Sequence, residues 1–125
     1  MKTIINTDAA PKAIGPYSQA VMIDGFLYAS GQIAIDPATG EFVEGGIEAQ
    51  TERVLENIKA ILKAAGMDLS NVIKTTVFVT SIGDFAKINE IYGRYFKDNP
   101  PARSLVEVKS LPKGALIEIE VVAHK

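Results

Sequence analysis

One histidine, His124, and no cysteine are present in this chain, which narrows its chemistry at once. Without thiols it has no thiolate nucleophile, disulfide, zinc knuckle or iron–sulfur cluster. His124 stands next to the C-terminus, where fraying is expected, so a Ser-His-Asp triad lacks an oriented imidazole. Neither G-x-G-x-x-G nor G-x-x-x-x-G-K-[ST] occurs, which removes two common phosphate cradles. Any chemistry must be carried by Arg, Glu, Tyr, Ser, Asn, backbone groups and water.

Among those residues a few stand out by position. Arg103 follows the stiff Pro100-Pro101-Ala102 segment and opens a strand pattern, where a planar guanidinium suits two parallel hydrogen bonds to a carboxylate. Taken alone, a surface arginine at a strand end is the plainer reading. Glu118 and Glu120 alternate with Ile117, Ile119 and Val121, so both acids share one face of a strand, and solvated surface carboxylates are their plain reading. Ser30-Gly31 interrupts a strand pattern, which marks either a bulge or a close approach of a ligand to the backbone. Tyr17 follows Gly15-Pro16 and reads first as an amphipathic core-edge ring. Asn89 falls among apolar helix positions, where its amide must find a partner.

The elements that must position these residues follow from periodicity and punctuation. Tyr17 to Ile23 and Phe26 to Ile33 read as strands joined by the hairpin signal Asp24-Gly25, and Asp36 to Gly40 reads as a turn. Ile47, Val54, Ile58, Ile61, Leu62 and Ala65 recur at helical spacing, with Gly66 as the stop. Val72 to Thr80 is β-branched and reads as a strand. Ser81 and Asp84 offer caps for a second helix burying Phe85, Ile88, Tyr92 and Phe96, stopped by Asn99-Pro100-Pro101. Arg103 to Val108 and Leu116 to Ala123 are expected to close the chain as a strand hairpin around Leu111 to Gly114. The sum is an α+β two-layer sandwich: a mostly antiparallel mixed sheet of about six strands with two helices on one face. The other face is left to solvent or to another chain.

The composition agrees with one soluble domain over residues 1–125, at 47% hydrophobic and 22% charged residues. The start is no signal peptide and no apolar run approaches a membrane span, so a cytoplasmic protein is expected. A net charge of -2, with Arg53, Arg94 and Arg103 scattered, disfavours a nucleic-acid surface.

Six segments, in this order, give the sequence a specific likeness: Gly15-Pro16-Tyr17-Ser18-Gln19-Ala20, Ala29-Ser30-Gly31-Gln32-Ile33, Val54-Leu55-Glu56-Asn57-Ile58, Lys74-Thr75-Thr76-Val77-Phe78, Pro101-Ala102-Arg103-Ser104 and Ile117-Glu118-Ile119-Glu120. Together they resemble the RidA/YjgF family over almost the whole chain. The resemblance implies a chorismate-mutase-like fold, a homotrimer and ligand clefts between subunits. It also implies cofactor-free hydrolysis of 2-imino acids and enamines (2-aminoacrylate, 2-iminopropanoate, 2-iminobutanoate) to 2-keto acids and ammonia. Such enamines arise from pyridoxal-phosphate-dependent dehydratases, an implied functional link.

By the same resemblance Arg103 holds the substrate carboxylate and Glu118 positions the water, while Tyr17, Ser30, Gly31 and Asn89 line the cleft. Many members carry Cys after the Arg-Ser pair, where this chain has Leu105, a bulkier wall that bears on the side chain accepted. Two other functions remain open to the same residues. One is a regulatory trimer that binds a small carboxylate without turnover. The other is the endoribonuclease activity described for some relatives, which the acidic balance disfavours.

Overall fold

The computed structural model describes residues 1–125. Six strands form one mixed sheet: β1 (Thr3–Ile5), β2 (Ala20–Ile23), β3 (Phe26–Ala29), β4 (Val72–Val79), β5 (Ala102–Glu107) and β6 (Ile117–His124). Two helices, α1 (Gly46–Ala64) and α2 (Phe85–Tyr95), complete the α+β architecture. The spatial order is β1-β2-β3-β6-β4-β5, antiparallel throughout except for the parallel pair β4 and β5.

Local chemistry explains most of the elements. Asp24 and Gly25 both take positive φ, at 50° and 80°, which turns β2 into β3 with the twist a tight hairpin needs. Helix α1 buries Ile47, Val54, Leu55, Ile58, Ile61 and Leu62 along one side. It ends where Gly66 takes a φ of 74° and Met67 N donates to Leu62 O at 2.9 Å, satisfying a carbonyl the helix leaves open. Strand β6 alternates as its sequence promises: Ile117, Ile119, Val121 and Ala123 are buried under the helices. Glu118, Glu120 and Val122 point to the opposite, open face. The Gln50 side chain on α1 accepts from Leu116 N at 2.9 Å and fixes where β6 begins.

Six expectations are corrected. The closing strands form no hairpin, because β6 inserts between β3 and β4 and leaves β5 at the edge beside β4. Parallel pairing of β4 with β5 requires a long crossover, and α2 provides it. The strand expected from Tyr17 begins only at Ala20, because the buried Gln19 amide binds Thr7, Ala10 and Pro11 carbonyls and holds a loop. The strand expected to reach Ile33 ends at Ala29, since Ser30 turns back to bond Ser18 and Gln19. His124 is no frayed end: it pairs with Phe26 in the sheet, the two rings 4.4 Å apart.

The last two concern α2. Phe85 is 43% exposed, while Ile88, Ile91 and Tyr92 take the inner side and Phe96 packs just beyond the helix. Neither Ser81 nor Asp84 caps with its side chain; Glu107 on β5 accepts from Ile82 N at 2.8 Å instead. That bond ties the start of α2 to the strand carrying Arg103.

Candidate functional site

Arg103 lies directly across from Thr75 of β4, so it points to the helix-covered side of the sheet. Its Nη1 donates to Asn89 Oδ1 at 2.8 Å, which gives the amide on α2 the partner it requires. Its guanidinium carbon stands 4.7 Å from the Tyr92 ring centre and 5.7 Å from that of Phe85. A guanidinium laid over aromatic faces keeps its charge and loses mobility. Tyr92 is itself fixed, its hydroxyl 2.8 Å from that of Thr75. Burial lifts the Tyr92 phenol above its ordinary value, the Thr75 bond and the Arg103 charge pulling the other way. Arg103 makes no ion pair; the two in the chain are Lys59–Glu56 and Arg94–Glu90. Leu105, two residues on, sits beside Val77 against the core.

On the open face Glu118 borders a groove of about 690 Å³, with Tyr17, Gly31, Lys12, Lys113 and Glu120 among its walls. The Glu118 side chain lies across Gly31: a Cβ there would stand 2.7 Å from the carboxyl carbon and 3.0 Å from Cγ. A side chain larger than hydrogen at position 31 would displace the acid. The space comes from a bulge, because pairing of Tyr28 with Val122 and of Gln32 with Ile119 sets four steps of chain against three. The Gly31 N–H has no partner within the chain. Burial pushes the Glu118 carboxyl above the ordinary glutamate range, and the Glu120 charge adds to it. Tyr17 accepts from Ile14 N at 3.2 Å, which leaves its own proton free to donate into the groove. Ser30 is committed to structure: its hydroxyl donates to Ser18 O at 2.6 Å.

The candidates therefore form two clusters. Arg103, Asn89 and Leu105 gather at the β5 edge, and Tyr17, Ser30, Gly31 and Glu118 gather at the open-face groove. Strand β4 stands between β5 and β6, and the two side chains point to opposite faces of the sheet. Within one chain they do not meet. A larger groove, about 930 Å³ along the outer side of α1, holds none of the candidates. No three His, Cys, Asp or Glu side chains gather closely enough to hold a metal ion, and no helix is long and apolar enough to cross a membrane.

Three side chains bonded or packed next to the candidates were not singled out by the sequence. Tyr92 was read as core only, yet it floors the guanidinium. Gln19, 2% exposed, holds the loop that presents Tyr17. Asn57 lies in register with Val54 and Ile61 on the apolar side of α1; a polar residue in that stripe was the signal for it.

Comparison with known proteins identifies the family of the chain. The endoribonuclease L-PSP family model matches residues 7–125. A human protein named 2-iminobutanoate/2-iminopropanoate deaminase is 53% identical over 123 residues, spanning 98% of this chain and 90% of its own. The solved structure of YyfA from Yersinia pestis, of the Rid family, is 55% identical with a TM-score of 0.97 and covers 100% of both chains. That of E. coli TdcF with bound serine is 44% identical with a TM-score of 0.94 and covers 98% of each. On the match across nearly its whole length, this chain belongs to the RidA/YjgF (endoribonuclease L-PSP) family.

Proposed function

We propose that this protein hydrolyses 2-imino acids and their enamine tautomers to 2-keto acids and ammonia. The observation that carries the reading is Arg103: a half-buried guanidinium, held by Asn89 and two rings, with no carboxylate of its own chain to neutralise it. A cation kept in place and unpaired is suited to a small carboxylate ligand. The human relative's name and the serine bound to E. coli TdcF support the same class of ligand.

The chemistry asks little beyond aim. With the substrate carboxylate on Arg103, the water oxygen bonds to the imine carbon and the imine nitrogen takes a proton. The resulting carbinolamine expels ammonia, the C–N electron pair leaving with nitrogen, and the hydroxyl gives its proton to solvent as the carbonyl forms, replacing the one the imine nitrogen took from solvent. Glu118 accepts the water proton and returns one to the departing amine, a task suited to a carboxyl whose pKa is raised. The unpartnered Gly31 N–H and the Tyr17 hydroxyl can hold the ligand from the groove side. Leu105 bears on the side chain accepted.

Because the two clusters face apart, the reading requires a second copy that brings its β5 edge over the Glu118 groove, as in a homotrimer of chorismate-mutase-like subunits. Mixing two inactive variants tests this. Arg103→Ala and Glu118→Gln, unfolded and refolded together, should recover about a quarter of the wild-type turnover of imine made in situ by a threonine dehydratase, because random mixing leaves that share of interfaces intact. No recovery would reject a shared site; a wild-type protein that binds 2-ketobutanoate without speeding its release would point to a carboxylate-binding regulator instead.

A further inference from the structure

We propose that Asn57, inside helix α1, is a positioning residue for the Glu118 half of the site: it clamps the segment that forms the floor beneath the acid. The inference rests on the deaminase reading.

Asn57 is fully buried, yet its side chain faces backbone rather than apolar neighbours alone. Its amide donates to Ile33 O at 3.3 Å and to Ile35 O at 3.0 Å. Arg53 Nε, one turn earlier, donates to Asn57 Oδ1 at 3.1 Å, which holds the amide with its hydrogens toward those carbonyls. The clamped segment continues directly from the site. Gln32 N donates to Ile119 O at 2.8 Å and Ile119 N returns the bond to Gln32 O at 3.1 Å, so residues 32–35 are tied to β6 on one side and to α1 on the other. Gly31, the residue before them, is what the Glu118 side chain lies across. Between Ala29 and Gln32 there is no regular strand pairing to set the position of Gly31. The Asn57 clamp and the Gln32 bridge do that work from the far side. A polar residue fully buried in a helix is expensive unless it is fully bonded; on α1, Gln50 bonds the start of β6 and Thr51 its own helix, whereas the Asn57 bonds reach a segment that regular sheet pairing leaves free.

The titratable groups lining the groove with Glu118 are Glu120 on its own strand, Lys12 and Tyr17 from the loop before β2, and Lys113 from the turn before β6; Phe78 and Thr76 of β4, paired with Glu118 and Glu120, and Gly31 to Ile35 bring no charge. Loosening the floor admits water to the carboxyl without adding or removing a charge. Its titration should therefore move down toward the ordinary glutamate range.

The test uses the whole chain with Asn57→Leu, which keeps the branching and heavy-atom count of the side chain and removes the clamp, and Arg53→Leu, which leaves Asn57 but frees its amide. Three readouts are taken: kcat, affinity for 2-ketobutanoate, and the Glu118 side-chain titration by NMR of the carboxyl carbon. For Asn57→Leu we expect kcat to fall about 10-fold or more, affinity to stay within about 3-fold, and the Glu118 titration to move to lower pH. Arg53→Leu should show the same pattern more weakly, and it decides the matter if Asn57→Leu does not fold. Folded variants with wild-type kcat and an unmoved Glu118 titration would reduce Asn57 to a stability element and overturn the proposal. The NMR readout does not depend on turnover, so an inactive wild-type protein would sink the deaminase reading while the clamp was still judged.

Discussion

At the β5 edge a cation is kept in place by two rings and an amide, whereas on the open face an acid is kept in place because its neighbour has no side chain. The Arg103 cluster is a packed object: Thr75 fixes Tyr92, Tyr92 floors the guanidinium, Asn89 takes one nitrogen and Phe85 closes a side. The Glu118 cluster is a vacancy in the backbone, a bulge at Gly31 into which the carboxyl lies. The first keeps its charge without ion pairing, while the second resists ionisation through burial. On the proposed reading, binding and proton transfer would fall to separate devices, each adjustable without the other.

The comparison breaks most severely at Arg103. Arg103→Ala should lower kcat/KM for the imine about 100-fold or more with circular dichroism unchanged, because a desolvated carboxylate left unpaired costs about 2–5 kcal/mol. Arg103→Lys should fail nearly as badly, since an ammonium cannot reproduce the planar fork over Tyr92. Retained turnover in either variant would remove Arg103 from the reaction.

Gly31→Ala attacks the other device. The added methyl occupies the place of the Glu118 carboxyl, so the acid must swing out. We expect kcat down about 10-fold, with 2-ketobutanoate affinity better preserved than in Arg103→Ala, and a stability loss of about 1–3 kcal/mol in chemical denaturation. Equal loss of binding in both variants would mean the two clusters are not separate devices.

The smallest effect sharpens the contrast through pH. Burial and the Glu120 charge both disfavour the ionised Glu118, so a reaction needing its carboxylate declines on the acid side at a pH above the ordinary glutamate value. Glu120→Gln removes the charge and leaves the burial. The acid limb of the kcat profile should move to lower pH, without reaching that of a solvated glutamate, while turnover at neutral pH stays within about 2-fold. An unmoved limb would show that Glu118 is not the titrating group.

Much of this was legible in the residues themselves. The helical register of α1, the Asp24-Gly25 hairpin and the alternation that sends Glu118 away from the core all depend on neighbours within a few positions, where sterics and periodicity act directly. The requirement that Asn89 find a partner was readable too. Strand β1, three residues long, carries too little pattern to announce itself. The place of β6 beside β4 was not visible either, because nine residues, from Val108 to Leu116, separate it from β5 and turn chemistry alone does not say which edge a strand joins. Phe85 stands outside the core, its ring 5.7 Å from the Arg103 guanidinium, a contact between residues far apart in the chain.

The sequence alone, then, determined the kinds of elements, the faces on which their side chains stand and the short set of groups able to do chemistry, since these are set by local sterics and by what each residue carries. Only the tertiary structure decided that Arg103 and Glu118 belong to different faces of one sheet, that Tyr92 and Asn89 hold the first and the Gly31 bulge admits the second. Strand order and long-range hydrogen bonds follow from the packing of the whole chain around one core, which no local window contains.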